Sequence, residues 1–100
     1  MSSVEVWLWL LLVMQPYNPK TIKIIEKCGG DATAAATLIR DGECGFLSER
    51  ERRQAKQIRS RDVHKLLDIC AENDIRIITL DDEEYPLRLK AIPNPPIVLF

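Results

Sequence analysis

Nine consecutive residues, Val6-Trp-Leu-Trp-Leu-Leu-Leu-Val-Met14, carry no charged or strongly polar side chain, and this run does most to limit how the chain can fold. It is about half the ~20 residues that a membrane-spanning helix requires. Glu5 rather than a basic segment precedes it, and Gln15-Pro16 rather than a small-residue cleavage site follows it, so neither an anchor nor a signal peptide is expected. As a helix from about Ser3 to Met14, capped by Ser2 or Ser3, it puts Trp7, Leu8, Leu11 and Leu12 on one face. Trp9, Leu10 and Val13 fall on the opposite face. A helix that is apolar all round has to be covered all round. Four or five short helices offer limited cover. Trp7, Trp9, Leu10 and Val13 are therefore expected to contribute an interaction surface, either for a further domain or for self-association.

The next sixty residues are punctuated by caps. Pro16-Tyr-Asn-Pro19 makes a turn in which Asn18 caps a second helix and Pro19 fills its first position, where a missing N–H costs nothing. That helix turns Ile22, Ile25 and Cys28 inward and stops at Gly29-Gly30. Asp31 caps a third, alanine-rich helix over Ala32 to Ile39, ended by Asp41-Gly42. Ser48 and Glu51 form the capping box of a fourth, to about Ile58. Asp62 is expected to cap a fifth, with Val63, Leu66, Leu67 and Cys70 at helical spacing.

The last quarter changes character. Ile75 to Leu80 is rich in β-branched residues and reads as a strand; Pro86 to Ala91 suits a short helix; Ile97 to Phe100 reads as a second strand. The connection between the strands is too long for a hairpin, so a right-handed crossover to a parallel strand is expected. The second strand begins just before Phe100, and most of such an α/β domain is expected to lie beyond it. A short strand at an open edge is expected to pack on the helices, pair with another molecule, or fray.

With 46% hydrophobic and 29% charged residues the composition is that of a globular protein, and the formal net charge of -1 gives no global attraction to nucleic acid or membrane. The charges are unevenly placed. Residues 48–65 hold seven Lys/Arg and three Asp/Glu, and residues 66–100 hold three and seven, so +4 in one segment faces -4 in the next. In Arg50-Glu-Arg-Arg-Gln-Ala-Lys-Gln-Ile-Arg-Ser-Arg61, Arg52, Lys56 and Arg59 follow at i, i+4 and i+7, with Arg50, Arg53 and Arg61 nearby. Such a stripe can lie along phosphates; equally, it can be a solvated face paired with Glu49 and Glu51. No aromatic residue is interleaved, so a base-stacking platform is not expected. Asp81-Asp-Glu-Glu84 reads as a hydrated turn, because adjacent carboxylates in a loop point in different directions. Three cysteines without a Cys-x-x-Cys pair, and a lone His64, indicate free thiols in a reducing, cytoplasmic setting, with no metal, cofactor or catalytic constellation expected.

Several segments together resemble the N-terminal region of the DNA-processing protein A (DprA, or Smf) family. They are Trp7-Leu8-Trp9-Leu10, the turn from Met14 to Thr21, Leu66-Leu67 with Ile75, Leu80-Asp81, and Tyr85-Pro86-x-x-Leu89-x-x-Ile92-x-x-Pro95-Pro96-x-Val98-Leu99. The likeness is densest over residues 75–100. It implies a mainly α fold: a SAM-like, degenerate helix-hairpin-helix domain of five helices over residues 1–72, then a truncated β-α-β start of a Rossmann-like domain over residues 73–100. It implies a non-enzymatic role in natural transformation (competence), in which the intact protein binds single-stranded DNA and loads the RecA recombinase. Partners implied are single-stranded DNA, RecA, the protein's own remaining Rossmann-like domain and a second copy, with no membrane.

The family's first turn commonly reads Pro-Gly-Ile-Gly-Pro, whereas this chain has Gln15-Pro16-Tyr17-Asn18-Pro19. Glycines let backbone amides close on a phosphate; Pro16 has no N–H to give. Lys20 and Thr21, at the start of the second helix, remain as candidates for that contact. The expectation for this region is thus an accessory domain that adds a basic edge beside the main DNA site. A protein-interaction module without DNA affinity, or a weak helix-hairpin-helix binder of DNA backbone, is the alternative.

Overall fold

The computed structural model describes residues 2–100. Five helices come first: α1 (Ser3–Met14), α2 (Pro19–Lys27), α3 (Ala32–Arg40), α4 (Glu49–Gln57) and α5 (Ser60–Glu72). A short strand β1 (Ile78–Thr79), one helical turn α6 (Leu87–Lys90) and strand β2 (Val98–Leu99) complete the chain.

Local chemistry sets most boundaries. The Ser2 hydroxyl accepts from the Glu5 amide, Asn18 Oδ1 from Lys20, and Asp31 Oδ1 from both Thr33 and Ala34. Ser48 and Glu51 exchange the two bonds of a capping box at 3.1 and 2.7 Å. Helices α2 and α3 end in paired backbone bonds closed by Gly29 and Gly42, both at positive φ, where a side chain would be strained. Helix α5 ends the same way with Asp74 in the left-handed position. It starts at Ser60, earlier than the sequence suggested. Asp62 is therefore the third helical residue and not the cap: its carboxylate reaches back to the Arg59 amide at 2.8 Å.

Helix α1 is the axis of the core and packs against α2, α3, α4, α5 and β2. Trp7 (2% exposed), Trp9 (3%), Leu10 and Val13 (both 0%) are consequently buried. The expectation that these four form an interaction surface is overturned. Four helices and the tail cover most of this twelve-residue helix, leaving Leu11 and Leu12 half-buried, and burying each large side chain contributes about 1.5–3 kcal/mol relative to exposure. Ile97 and Val98 belong to the same buried cluster as the α1 residues.

The strand pairing also differs from expectation. β1 and β2 are antiparallel, with Ile78 opposite Leu99 and Thr79 opposite Val98. Successive turns, closed by Asp82 N–H to Thr79 O and Tyr85 N–H to Asp82 O, fold the connection back on itself. The chain re-enters beside Leu80, whose amide donates to Ile97 O at 2.9 Å. It returns at the end by which it left, so it can only run back along β1. Within the tail the buried Tyr85 hydroxyl donates to Pro96 O at 2.6 Å, and Asn94 Nδ2, donating to Tyr17 O at 2.7 Å, ties the tail to the body.

Candidate nucleic-acid interface

Helices α4 and α5 would merge into one were it not for Ile58 and Arg59, both in extended backbone conformation. The Trp9 indole N–H, projecting from α1, donates to Ile58 O at 3.0 Å and so ties this break to the core. The break opens a groove of about 690 Å³ against the last turn of α3. Trp9, Ala55 and Ile58 form its floor; Arg40, Lys56, Arg59, Ser60 and Arg61 form its rim. A smaller depression continues it along α3 and α4 past Asp41, Gly42 and Arg52.

Among the described residues, no carboxylate lies within ion-pairing distance of Lys56, Arg59 or Arg61. Arg40 is 3.9 Å from Asp41, an exposed contact worth little. Pairing of the basic segment with Glu49 or Glu51, the alternative to a phosphate-binding stripe, is not what forms. Three cations and a weakly paired fourth meet across one groove, a local excess of positive charge on a chain whose formal net charge is -1.

The linear stripe does not survive folding intact. α4 stops at Gln57, so Arg59 belongs to the joint and not to the same helix face as Arg52. Arg52 instead donates to Cys44 O at 3.1 Å and Gly42 O at 3.4 Å, pinning the loop between α3 and α4. Arg50 and Arg53 are exposed on α4 but do not line the groove. Arg40, which sequence reasoning passed over, does. Its position in the last turn of α3 marked it only as a favourable helix end, and nothing in linear order sets it beside Lys56.

Lys20 and Thr21 are not free to meet a phosphate. Thr21 is buried (1% exposed), and the Lys20 ammonium sits 2.9 Å from Glu51. Glu51, itself 4% exposed, accepts from the Ser48 amide, Lys20 Nζ and Asn18 Nδ2. Burial alone would raise its carboxyl; the Ser48, Lys20 and Asn18 donors outweigh that and hold it at about 2. The polar side chains at the start of α2, Asn18 and Lys20, are thus engaged by an internal carboxylate.

The acidic turn is structural: Asp81 accepts from the Thr79 hydroxyl, Asp82 from the Glu84 amide, and Glu84 pairs with Arg76. His64 lies 3.2 Å from Glu5 and links α5 to α1. Cys28, Cys44 and Cys70 are free thiols. Among the described residues, no three His, Cys, Asp or Glu side chains converge, and no helix is long and apolar enough to cross a membrane. Comparisons with family models, curated proteins and solved structures found no match.

Proposed function

We propose that residues 1–100 form the N-terminal region of a DprA-like recombination mediator, one that binds single-stranded DNA and loads RecA in natural transformation. In this reading the SAM-like helical body is an accessory domain beside the Rossmann-like domain that does the main DNA binding, although β1 and β2, being antiparallel, do not form the parallel β-α-β start that the resemblance implied. The body contributes a sequence-independent grip on DNA backbone through the groove between α3 and the α4–α5 joint. The observation that carries the DNA role is the convergence of Lys56, Arg59 and Arg61, all without carboxylate partners, with Arg40 across one open groove. The family assignment is supported by the residue pattern, densest from Tyr85 to Leu99.

The test is fluorescence anisotropy of labelled single-stranded DNA at low and moderate salt. Binding should weaken with salt, and Lys56→Ala/Arg59→Ala/Arg61→Ala should lower the magnitude of the log–log salt slope by about two. Arg52→Ala is the contrasting variant: it should cost about 0.5–1.5 kcal/mol of stability by removing its bonds to two loop carbonyls while leaving most of the affinity. Salt-independent binding, or an unaffected triple variant, would remove the groove from consideration.

A protein-docking reading is favoured by one surface. Half-buried Leu11, Leu12 and Leu99 lie beside Tyr17 (68% exposed) and Phe100 (58%) at the open side of the tail. On that reading the face receives the remaining Rossmann-like domain or a second copy. Concentration-dependent sedimentation that is lost in Tyr17→Ser/Phe100→Ser would support it.

A further inference from the structure

We infer that the basic groove takes the backbone of double-stranded nucleic acid in preference to a single strand. The inference rests on the reading of the groove as a nucleic-acid edge and specifies its substrate. A single strand is flexible and has to be ordered on binding, which costs conformational entropy. Proteins that hold single strands offset that cost by stacking bases on exposed aromatic rings. This groove offers none. Its one aromatic, Trp9, is 3% exposed, and its indole N–H is already spent on Ile58 O. The exposed aromatic rings lie elsewhere: Tyr17 and Phe100 beside the tail, and Phe46 under the Lys27 ammonium at 4.8 Å.

What the groove does offer is charge on fixed supports. Arg40 comes from α3, Lys56 from α4, Arg59 from the joint and Arg61 from the first turn of α5. Such an array is suited to phosphates. A duplex presents one negative charge per ~1.7 Å of axis, roughly twice the linear density of one strand, on a backbone that is already ordered. With no exposed aromatic ring to reward a single strand, the denser and stiffer polyanion binds better.

The experiment titrates the protein against an unstructured oligo(dT) strand and a mixed-sequence duplex of equal length, at several salt concentrations. The duplex should bind about fivefold or more tightly at low salt, with a log–log slope of about -3.6 for four neutralised phosphates against about -2.8 for the single strand. Lys56→Ala/Arg59→Ala/Arg61→Ala should abolish the preference. Lys23→Ala/Arg88→Ala/Lys90→Ala removes equal charge from exposed positions outside the groove and should keep it. Circular dichroism verifies that both variants are folded. Equal or tighter binding of the single strand would overturn the strand preference while leaving the groove as a DNA edge. Equal weakening by the two variants, or no binding to either nucleic acid, would overturn the groove itself and the inference with it.

Discussion

Glu51 occupies the position where three stretches of chain meet. It closes the α4 capping box with Ser48 and, from the same carboxylate, holds Asn18 and Lys20 at the start of α2. Replacing it by Gln removes the charge that those donors surround and leaves the half-buried Lys20 ammonium unpaired; Glu51→Gln should cost about 2–4 kcal/mol in urea denaturation. The pH dependence has a definite sign. The folded carboxyl sits at about 2 and its ordinary value is 4.5, so the folded state favours the ionised form. The resulting stability, on the order of 3 kcal/mol, is fully present above about 4.5 and is lost as pH falls through about 2. Urea midpoints measured between neutral pH and pH 2 should drop over that window in the wild type, and much less in Glu51→Gln. Gln15 carries a different kind of residue-level signal. It ends α1 with φ 71° and ψ 156°, a region that side chains disfavour. Gln15→Gly should relieve that strain and stabilise the fold by about 1 kcal/mol, seen as a thermal midpoint several degrees higher.

The tail shows how single bonds hold an element too short to be stable alone. Two residues per strand give β1 and β2 almost no sheet of their own. Their order depends on Tyr85, buried to 2% exposure, whose hydroxyl meets Pro96 O. Removing that hydroxyl leaves a buried carbonyl without its donor. Tyr85→Phe should therefore cost about 1–3 kcal/mol locally. Hydrogen exchange at the Leu80 amide, which is bonded to Ile97 O, should speed up in the variant while the amides of α1 keep their protection. The helix boundaries, by contrast, were readable in the sequence because caps act over three or four residues. Asn18-Pro19, Asp31, Ser48 with Glu51, and the glycines after α2 and α3 all act as their types suggest. Asp62 misled because Asp at the third helical position and Asp at the cap leave the same mark in a sequence; the distinction lies in which amide the carboxylate reaches.

At the scale of the whole molecule, the tail and the helical body share one core. Ile97 is 1% exposed within the cluster that surrounds α1, whereas Ile92, five residues earlier, is 44% exposed. Ile97→Ala should cost about 2–5 kcal/mol and increase the binding of a hydrophobic dye, while Ile92→Ala should stay within about 0.5 kcal/mol of wild type. Equal effects at the two sites would mean that the tail does not cover α1. The amino-acid sequence by itself determined the mainly helical character, the order of the elements, the caps and the need to cover α1 on every side, since these follow from local hydrogen bonding and from the period of the apolar residues. Only the tertiary structure decided what provides that cover. It also decided that β2 runs antiparallel to β1, that Glu51 holds the Asn18 and Lys20 side chains at the start of α2, that Arg52 leaves the stripe, and that Arg40 joins Lys56, Arg59 and Arg61 across a groove. Each of these depends on groups far apart in the chain, and which distant side chains meet is settled by how the helices pack around α1 and not by any spacing along the sequence.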